Sequence, residues 1–235
     1  MDDAAKALTE RLLAARDRIA YAARSAGRDP GEVRLVAVSK FQPTWAIAAL
    51  AAGGQRDFGE NYVQEACSKR TELAHLDLRW HCIGHIQTNK AKNAAWCFQH
   101  FHSLHSLKLA QALRRHIPAS QRRQALIQVN VGDEAQKSGV HAEDLPALAE
   151  HIAGMPEFEL AGLMCVPPFF GGGAAVRPYF ALLRELCEGL RVRLGLALPE
   201  LSMGMSGDFV EAVAEGATLV RIGTDIFGPR PARNT

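Results

Sequence analysis

The residues of this 235-residue chain that could do covalent chemistry stand where short apolar segments end. Lys40 directly follows the apolar segment RLVAVS, and no other of the seven lysines closes such a segment. A lysine that loses solvation at the mouth of a sheet has a lowered pKa and becomes a nucleophile toward aldehydes. The same pattern is equally typical of a lysine that binds an anion or reaches into solvent, so both interpretations stay open at this point.

A second group of residues, near the C-terminus, is suited to binding a phosphate. Ser206 stands as an N-cap before a predicted helix at 207–215, which Gly207 begins. Free N–H groups at a helix N-terminus attract anions. Gly223 and Thr224 follow the last apolar segment and would add backbone donors on a neighbouring loop. Taken singly, these features are also explained by a capped helix and a tight turn.

Arg221 lies two residues before Gly223, and the period-two alternation of a strand places both residues on one face. From inside a barrel its guanidinium would reach a bound ligand, whereas an outward-facing arginine would simply meet solvent.

The elements that must position these residues alternate along the chain. After an amphipathic helix at 4–26, short β-rich segments alternate with helical patterns, which is typical of βα units around a parallel sheet. We predict eight strands, at 34–39, 57–59, 80–84, 101–104, 125–131, 159–165, 200–203 and 219–222. Helical patterns fall near 44–52, 61–75, 87–97, 106–116, 142–153, 176–194 and 207–215.

This order predicts an α/β fold, a single (β/α)8 TIM barrel with an extra N-terminal helix, in one domain over residues 1–235. A doubly wound open sheet is the alternative, but no GxGxxG motif follows the first strand. In a closed barrel the first strand lies beside the eighth, so Lys40 would face the phosphate-binding residues. A lysine for an aldehyde and donors for a phosphate together describe a ligand such as pyridoxal phosphate.

Composition and charge favour a soluble protein of the cytoplasm. The chain is 48% hydrophobic and 22% charged, with a net charge of +2. No apolar run reaches the ~18 residues that a membrane span needs, and the acidic N-terminus is unlike a signal peptide. The basic pairs Arg114-Arg115 and Arg122-Arg123 are expected on the solvated surface, so neither nucleic acid nor membrane is predicted as a partner.

The spacing of cysteines and histidines argues against a disulfide framework or a metal site. The five cysteines are odd in number and widely spaced without a CxxC motif, which predicts reduced thiols. Histidines stand at 81, 85, 100, 102 and 105, but neither an HExxH motif nor a suitably spaced acidic residue accompanies them. We therefore predict no metal. A GxSxG elbow for hydrolysis is absent as well.

Longer motifs carry a resemblance to a known family. The segments VAVSK, FGENYVQE, WHCIGHIQTNK, GLMCVPP and LSMGMSGDFVEAVAEGATLVRIGTDIFG resemble those of the pyridoxal phosphate homeostasis protein family, from about residue 4 to Gly228. The resemblance implies a fold-type III barrel like the N-terminal domain of alanine racemase. It also implies that the chain binds pyridoxal 5′-phosphate and serves vitamin B6 homeostasis without established catalysis.

Positions that match the family's motifs imply individual roles. Lys40 corresponds to the Schiff-base lysine, Arg221 to the arginine that faces the pyridine nitrogen, and Asn61 to a residue of the pocket wall. The phosphate-binding positions correspond to four residues, with Ser202 as an alternative to the first of them: Ser206, Gly207, Gly223 and Thr224.

Three functions compete at this stage. The first is a monomeric, non-catalytic carrier that holds pyridoxal phosphate as a Schiff base and delivers it to apo forms of pyridoxal phosphate-dependent enzymes. The second is an amino-acid racemase, for which the resemblance implies a tyrosine from an added domain; of the three tyrosines, Tyr62 is a substitute acid at best. The third is a phosphate-sugar aldolase with Lys40 as its amine, against which Arg221 argues. Lys137, in the loop after the fifth strand, is either a transient acceptor of the aldehyde or an exposed loop lysine.

Overall fold

Eight parallel strands close into a barrel in the computed structural model, which describes residues 2–134, 138–168 and 173–228. The strands pair in chain order, and the first closes on the last with Arg34 opposite Leu219 and Ala37 opposite Ile222. The predicted TIM barrel is therefore confirmed. Its strands are β1 (Arg34–Val38), β2 (Asp57–Glu60), β3 (Arg79–Cys82), β4 (His100–Leu104), β5 (Arg123–Val129), β6 (Phe158–Cys165), β7 (Glu200–Ser202) and β8 (Leu219–Ile222).

Helices surround the barrel, and the extra N-terminal helix, α1, packs across the seam between the first and last βα units. Its buried face repeats at helical spacing through Leu8, Leu12, Ala15 and Ile19, and it contacts the helices that follow β1, β7 and β8. The helices are α1 (Asp2–Ser25), α2 (Thr44–Ala52), α3 (Val63–Glu72), α4 (Ala91–Cys97), α5 (Leu107–Arg114), α6 (Leu145–Ala153), α7 (Arg177–Leu194), α8 (Phe209–Ala214) and α9 (Thr224–Phe227), with short 3-10 turns at Pro30–Glu32, Thr88–Lys90 and Ala174–Val176. Within the described residues, none of these helices is long and apolar enough to cross a membrane.

The apolar side chains form two separate clusters. The larger fills the space between the sheet and the helices. The smaller lies inside the barrel and consists of Val36, Leu126, Ala161, Met164 and Leu219. Other inward positions carry buried polar side chains, among them His81, His102, Ser202 and Arg221.

Two expectations from the sequence are wrong. Cys67 on α3 and Cys97 at the end of α4 form a disulfide, whereas Cys82, Cys165 and Cys187 are free and buried. The two helices pack side by side and bring the two Cα atoms to 5.3 Å, a proximity that cannot be read from cysteines separated by 30 positions in the sequence. Arg123 is buried instead of solvated, because its guanidinium donates hydrogen bonds to the carbonyl oxygen of Ala95.

Candidate functional site at the carboxyl ends of the strands

A cavity of about 460 Å³ opens at the carboxyl ends of the strands, next to the β1–β8 seam. Every binding residue predicted from the sequence lines this cavity: Lys40, Asn61, Ser206, Gly207, Arg221, Gly223 and Thr224. Apolar side chains complete its wall, among them Val38, Ile83 and Val166. Lys137 lies outside the described residues.

Lys40 lies in a tight turn that is stabilised by a buried ionic cluster next to it. The backbone of the next residue, Phe41, has a φ of 63°, in the left-handed region that non-glycine residues rarely adopt. Lys69 on α3 donates from its Nζ atom to the carbonyl oxygen of Ser39 at 2.6 Å and to Glu60 Oε1 at 2.7 Å. The Ser39 hydroxyl donates to the same carboxylate oxygen at 2.7 Å, so the residue before Lys40 is fixed through both its backbone and its side chain.

The charges of this cluster are almost completely desolvated. Glu60 is 0% exposed and Lys69 is 6% exposed, and a second carboxylate, Glu65, accepts from Lys69 at 2.6 Å. Burial raises the pKa of Glu60, although Lys69 and Ser39 act in the opposite direction. The cluster lies between the barrel and α3 and anchors the turn that carries Lys40.

Arg221 forms the inner end of the cavity and is buried. Its Nη1 atom donates to Ser202 Oγ at 2.7 Å, and its Nη2 atom donates to the carbonyl oxygen of Cys165 at 2.9 Å. Desolvation lowers the pKa of this guanidinium, but an arginine keeps its proton in proteins. Ser202 does not line the cavity, whereas Ser206 does, so the structure separates the two serines that the sequence offered for one role.

The loop before α8 differs from the sequence prediction. Ser206 is not an N-cap, because α8 begins at Phe209 and the capping position is occupied by Asp208. The Asp208 carboxylate accepts a hydrogen bond from the Met205 amide at 2.6 Å. This contact closes a turn over residues 205–208, so the helix begins only after the turn. Within the described part of the chain, no acceptor meets the N–H groups of Ser206 and Gly207, which are therefore available to an anion.

Two glycines make the close approaches on which this geometry depends. Gly204 has a φ of +91°, and a Cβ atom there would lie 2.6 Å from the side chain of Ala212 on α8. A Cβ atom at Gly84 would overlap the backbone of Asn61. Asn61 Oδ1 is buried without a hydrogen-bond partner among the described residues, although its residue lines the cavity. This oxygen can accept a hydrogen bond from a donor on a bound molecule.

Thr224 begins α9, a four-residue helix that the sequence pattern did not predict. The first N–H groups of any helix lack partners within it, so Gly223 and Thr224 present donors opposite Ser206 and Gly207. A helix of one turn is too short to show a periodic pattern in the sequence. The feature of the sequence that pointed to this loop was Gly223, directly after the last strand.

The fold and the cavity define a barrel of the alanine racemase N-terminal-domain class. The family model described as "Alanine racemase, N-terminal domain" matches residues 11–231. Full alanine racemases share the fold at low identity: the enzyme from Corynebacterium glutamicum has a TM-score of 0.70 and 17% identity, covering 98% of this chain but 62% of its own.

Relatives of similar length show to which family within this class the chain belongs. The chain is 49% identical to the pyridoxal phosphate homeostasis protein of Pseudomonas aeruginosa, over 95% of this chain and 96% of the relative. It is 41% identical to the protein of the same name from Escherichia coli K12, over 95% and 97%. The chain belongs to the pyridoxal phosphate homeostasis protein family. PipY of Synechococcus elongatus PCC7942, solved with PLP bound, superposes with a TM-score of 0.81 and 38% identity, covering 94% of this chain and all of that one.

Proposed function

We propose that this chain binds pyridoxal phosphate in the cavity beside the β1–β8 seam and acts in its homeostasis as a carrier, not as an enzyme. The observation that carries the proposal is the convergence of one amine, one guanidinium and a set of phosphate-suited donors on a single cavity. The PLP-bound relative PipY supports it, since it shares the fold at 38% identity.

The residues present fit the three polar ends of pyridoxal phosphate. Ser206, Gly207, Gly223 and Thr224 supply N–H and hydroxyl donors for the phosphate. Arg221 offers a donor to the pyridine nitrogen, and Lys40 offers an amine to the aldehyde. No aspartate or glutamate is among the described residues that line the cavity, and two of those residues, Lys40 and Arg221, are basic, which suits a dianionic ligand.

When bound, pyridoxal phosphate supplies an aldehyde that forms a Schiff base with an amine and a ring that withdraws electrons. Arg221 limits the second property because a guanidinium is a donor only. It cannot accept a hydrogen bond from a protonated ring nitrogen and therefore does not stabilise the protonated ring. The apolar wall formed by Val38, Ile83 and Val166 excludes water from the ring.

The surroundings of Tyr62 favour a carrier over a racemase. This side chain is 47% exposed, and its ring packs on Phe41 with 5.3 Å between the ring centroids. No tyrosine is among the described residues that line the cavity, so a second proton-transfer group opposite Lys40 has no candidate there. Loss of one member of a cooperating catalytic pair commonly costs several powers of ten in rate.

Borohydride trapping tests the binding proposal. Wild-type protein with pyridoxal phosphate should be yellow, and reduction should attach the colour to the peptide that contains Lys40. Lys40→Ala should lose this adduct while keeping its circular dichroism spectrum, and Lys108→Ala, at an exposed position on α5, should label like the wild type. An adduct that persists unchanged in Lys40→Ala refutes the assignment. Label at Lys137 in the same digest would identify that lysine as the transient acceptor.

Incubation with amino acids tests the carrier proposal. The loaded protein should give no measurable racemisation or transamination of L-alanine or L-serine by chiral analysis. It should restore activity to an apo form of a pyridoxal phosphate-dependent enzyme, and we propose that it does so as a monomer in the cytoplasm. Turnover near 1 per second, in the ordinary range of enzymes, that disappears in Lys40→Ala would establish a racemase instead.

A further inference from the structure

A continuous chain of hydrogen bonds crosses the barrel interior and ends on the arginine of the cavity. His81 Nε2 lies 2.9 Å from Asp57 Oδ1, and His81 Nδ1 lies 2.9 Å from His102 Nε2. His102 Nδ1 lies 2.8 Å from Ser202 Oγ, which also accepts from Arg221. Each of these five residues is at most 4% exposed. We call them the Asp57–Arg221 chain; it connects β2, β3, β4, β7 and β8.

The far end of the chain is a fixed carboxylate. Arg79 donates to Asp57 in a bidentate arrangement at 2.8 Å and 2.6 Å. Burial alone would raise the pKa of Asp57, but the hydrogen bonds from Arg79 and His81 outweigh it and hold this pKa well below its ordinary value. Asp57 is therefore an acceptor only, and His81 must carry its proton on Nε2.

The proton on His81 Nε2 determines which group donates in each of the other hydrogen bonds of the chain. Desolvation lowers the pKa of His81 to about 4 and the pKa of His102 well below its ordinary value, so both rings are neutral near pH 7. With Nε2 protonated, His81 Nδ1 is an acceptor, and His102 must donate to it from Nε2. His102 Nδ1 then accepts the hydroxyl proton of Ser202, whose oxygen turns a lone pair toward Arg221.

We propose that Asp57, His81 and His102 are positioning residues that act through Ser202 to hold the Arg221 guanidinium toward the ring nitrogen of the ligand. The proposal rests on the proposed function, since it concerns the same cavity. Ser202 has one proton, and the chain commits it to His102. If His102 carried its proton on Nδ1 instead, Ser202 Oγ would accept from both His102 and Arg221, and its own proton would have no acceptor within the chain.

The first test needs no ligand. Long-range ¹H–¹⁵N spectra of histidine-labelled protein at pH 7 should show His81 and His102 as neutral rings protonated on Nε2. Asp57 Oδ1 accepts from both His81 and Arg79, and the Arg79 side chain is half-exposed and can turn away. An Asp57→Asn amide that donates to His81 from this position should move the proton of His81, and with it that of His102, to Nδ1. A structural role alone would leave His102, two hydrogen bonds from the substitution, unchanged. A protonated Nδ1 on His102 in the wild type, or an unmoved His102 in an Asp57→Asn variant whose His81 has moved, overturns the proposal.

The second test measures recognition of the ring nitrogen. Wild-type protein should bind pyridoxal phosphate at least about tenfold more tightly than the analogue with carbon in place of the ring nitrogen, since Arg221 donates only to the former. His102→Gln should reduce that ratio toward one, whereas His100→Gln should preserve it. His100 is on the same strand and stacks on His81 at 4.2 Å, but its Nδ1 atom pairs with Gln124 outside the chain.

A second matched pair guards against variants that fail to fold. Ser202→Ala should reduce the ratio, and Ser103→Ala should keep it, because the equally buried Ser103 hydroxyl donates to the carbonyl oxygen of Gly84, which is not part of the chain. A ratio that stays at the wild-type value in both Ser202→Ala and His102→Gln overturns the proposal. Absence of any pyridoxal phosphate binding by the wild type refutes the proposed function instead, and the histidine spectra still decide the direction of the chain.

Discussion

The phosphate end of the cavity offers several hydrogen-bond donors, whereas the other end offers one amine, that of Lys40. Ser206 and Gly207 lie in the turn before α8, whereas Gly223 follows β8 and Thr224 begins α9, so the four come from two neighbouring loops. Each hydrogen bond from such a donor to a phosphate dianion contributes about 1.5–3 kcal/mol to the binding free energy. The phosphate, not the covalent bond to Lys40, should therefore dominate the affinity.

Pyridoxal without its phosphate tests this conclusion. We expect its dissociation constant to be at least about tenfold higher than that of pyridoxal phosphate, because two or more charge-assisted hydrogen bonds are lost. Ser206→Ala should weaken pyridoxal phosphate binding and leave pyridoxal binding unchanged, as measured by fluorescence titration. Ser68→Ala, at an exposed position on α3, serves as the control. Equal affinities for the two ligands would remove the phosphate site.

Residues at strand ends could be placed from the sequence, and residues that meet across the barrel could not. Lys40 and Arg221 were found because strand alternation and the carboxyl-end rule for barrels act locally. The contact of His102 with Ser202 joins residues 100 positions apart, so no spacing predicts it. The N-cap assigned to Ser206 was wrong because the Met205–Asp208 turn moves the start of α8 to Phe209.

At the scale of elements, α3 stabilises the turn that carries Lys40. Its Lys69 replaces water around Glu60, a carboxylate with no exposure. Removal of one partner of a buried ion pair leaves the other charge uncompensated, at a cost of about 3–5 kcal/mol. The stability of this part of the barrel thus depends on a contact between a strand end and the following helix.

Replacement of Lys69 by an apolar residue of similar length measures that dependence. Lys69→Met should lower the free energy of unfolding in urea by about 3–5 kcal/mol. The double variant with Glu60→Gln should recover part of the loss, because no unpaired carboxylate remains. Lys92→Met on the exposed face of α4 should change the stability little. A loss of stability in Lys92→Met equal to that in Lys69→Met would show that the ionic cluster has no special role.

The disulfide between α3 and α4 makes a separate prediction. It closes a loop of 30 residues, for which the chain-entropy estimate is about 3–4 kcal/mol of stabilisation. Unfolded protein prepared without a reductant should therefore expose three titratable thiols of its five cysteines. Cys187→Ser should lower that count to two, and Cys67→Ser should leave it higher than in the wild type. Five thiols in the untreated wild type would contradict the disulfide.

The order of elements was predictable because the β and α patterns alternate without interruption. The boundaries of β8 and α2 agree with the sequence prediction, and the other strands differ by a few residues at their ends. Helix α9 was missed because one turn carries no period. The disulfide was missed because it depends on which helices become neighbours, and that follows from barrel closure and not from the spacing of cysteines.

At the scale of the whole molecule, the barrel interior contains both apolar and polar side chains. Val36, Leu126 and Met164 pack within the barrel, and the Asp57–Arg221 chain occupies other inward positions. A barrel interior filled only by branched apolar residues would be insensitive to pH. Here two neutral histidines in the interior couple the stability of the entire barrel to the proton concentration.

That coupling has a definite sign. The unfolded chain protonates His81 near its ordinary pKa of about 6.5, whereas burial lowers the folded-state pKa to about 4. His81 faces Asp57 from β2, which Arg79 on its own strand also contacts, His100 and His102 from β4, and Arg34 from β1. Between the two pKa values the unfolded state binds one more proton at His81 than the folded state, so the free energy of unfolding falls as the pH falls.

Urea unfolding between pH 7 and pH 4.5 measures the effect. His81 alone should reduce the free energy of unfolding by about 1.4 kcal/mol for each pH unit below about 6. His102, whose pKa is also lowered by burial, adds to this slope in the same direction. His81→Gln should reduce the slope by the contribution of about one proton. His75→Gln, at an exposed position in the turn after α3, should leave the slope unchanged. Equal stability of the wild type at pH 7 and pH 5 would mean that the interior histidines are not held neutral, because only a neutral buried histidine gives the unfolded chain its excess of bound protons.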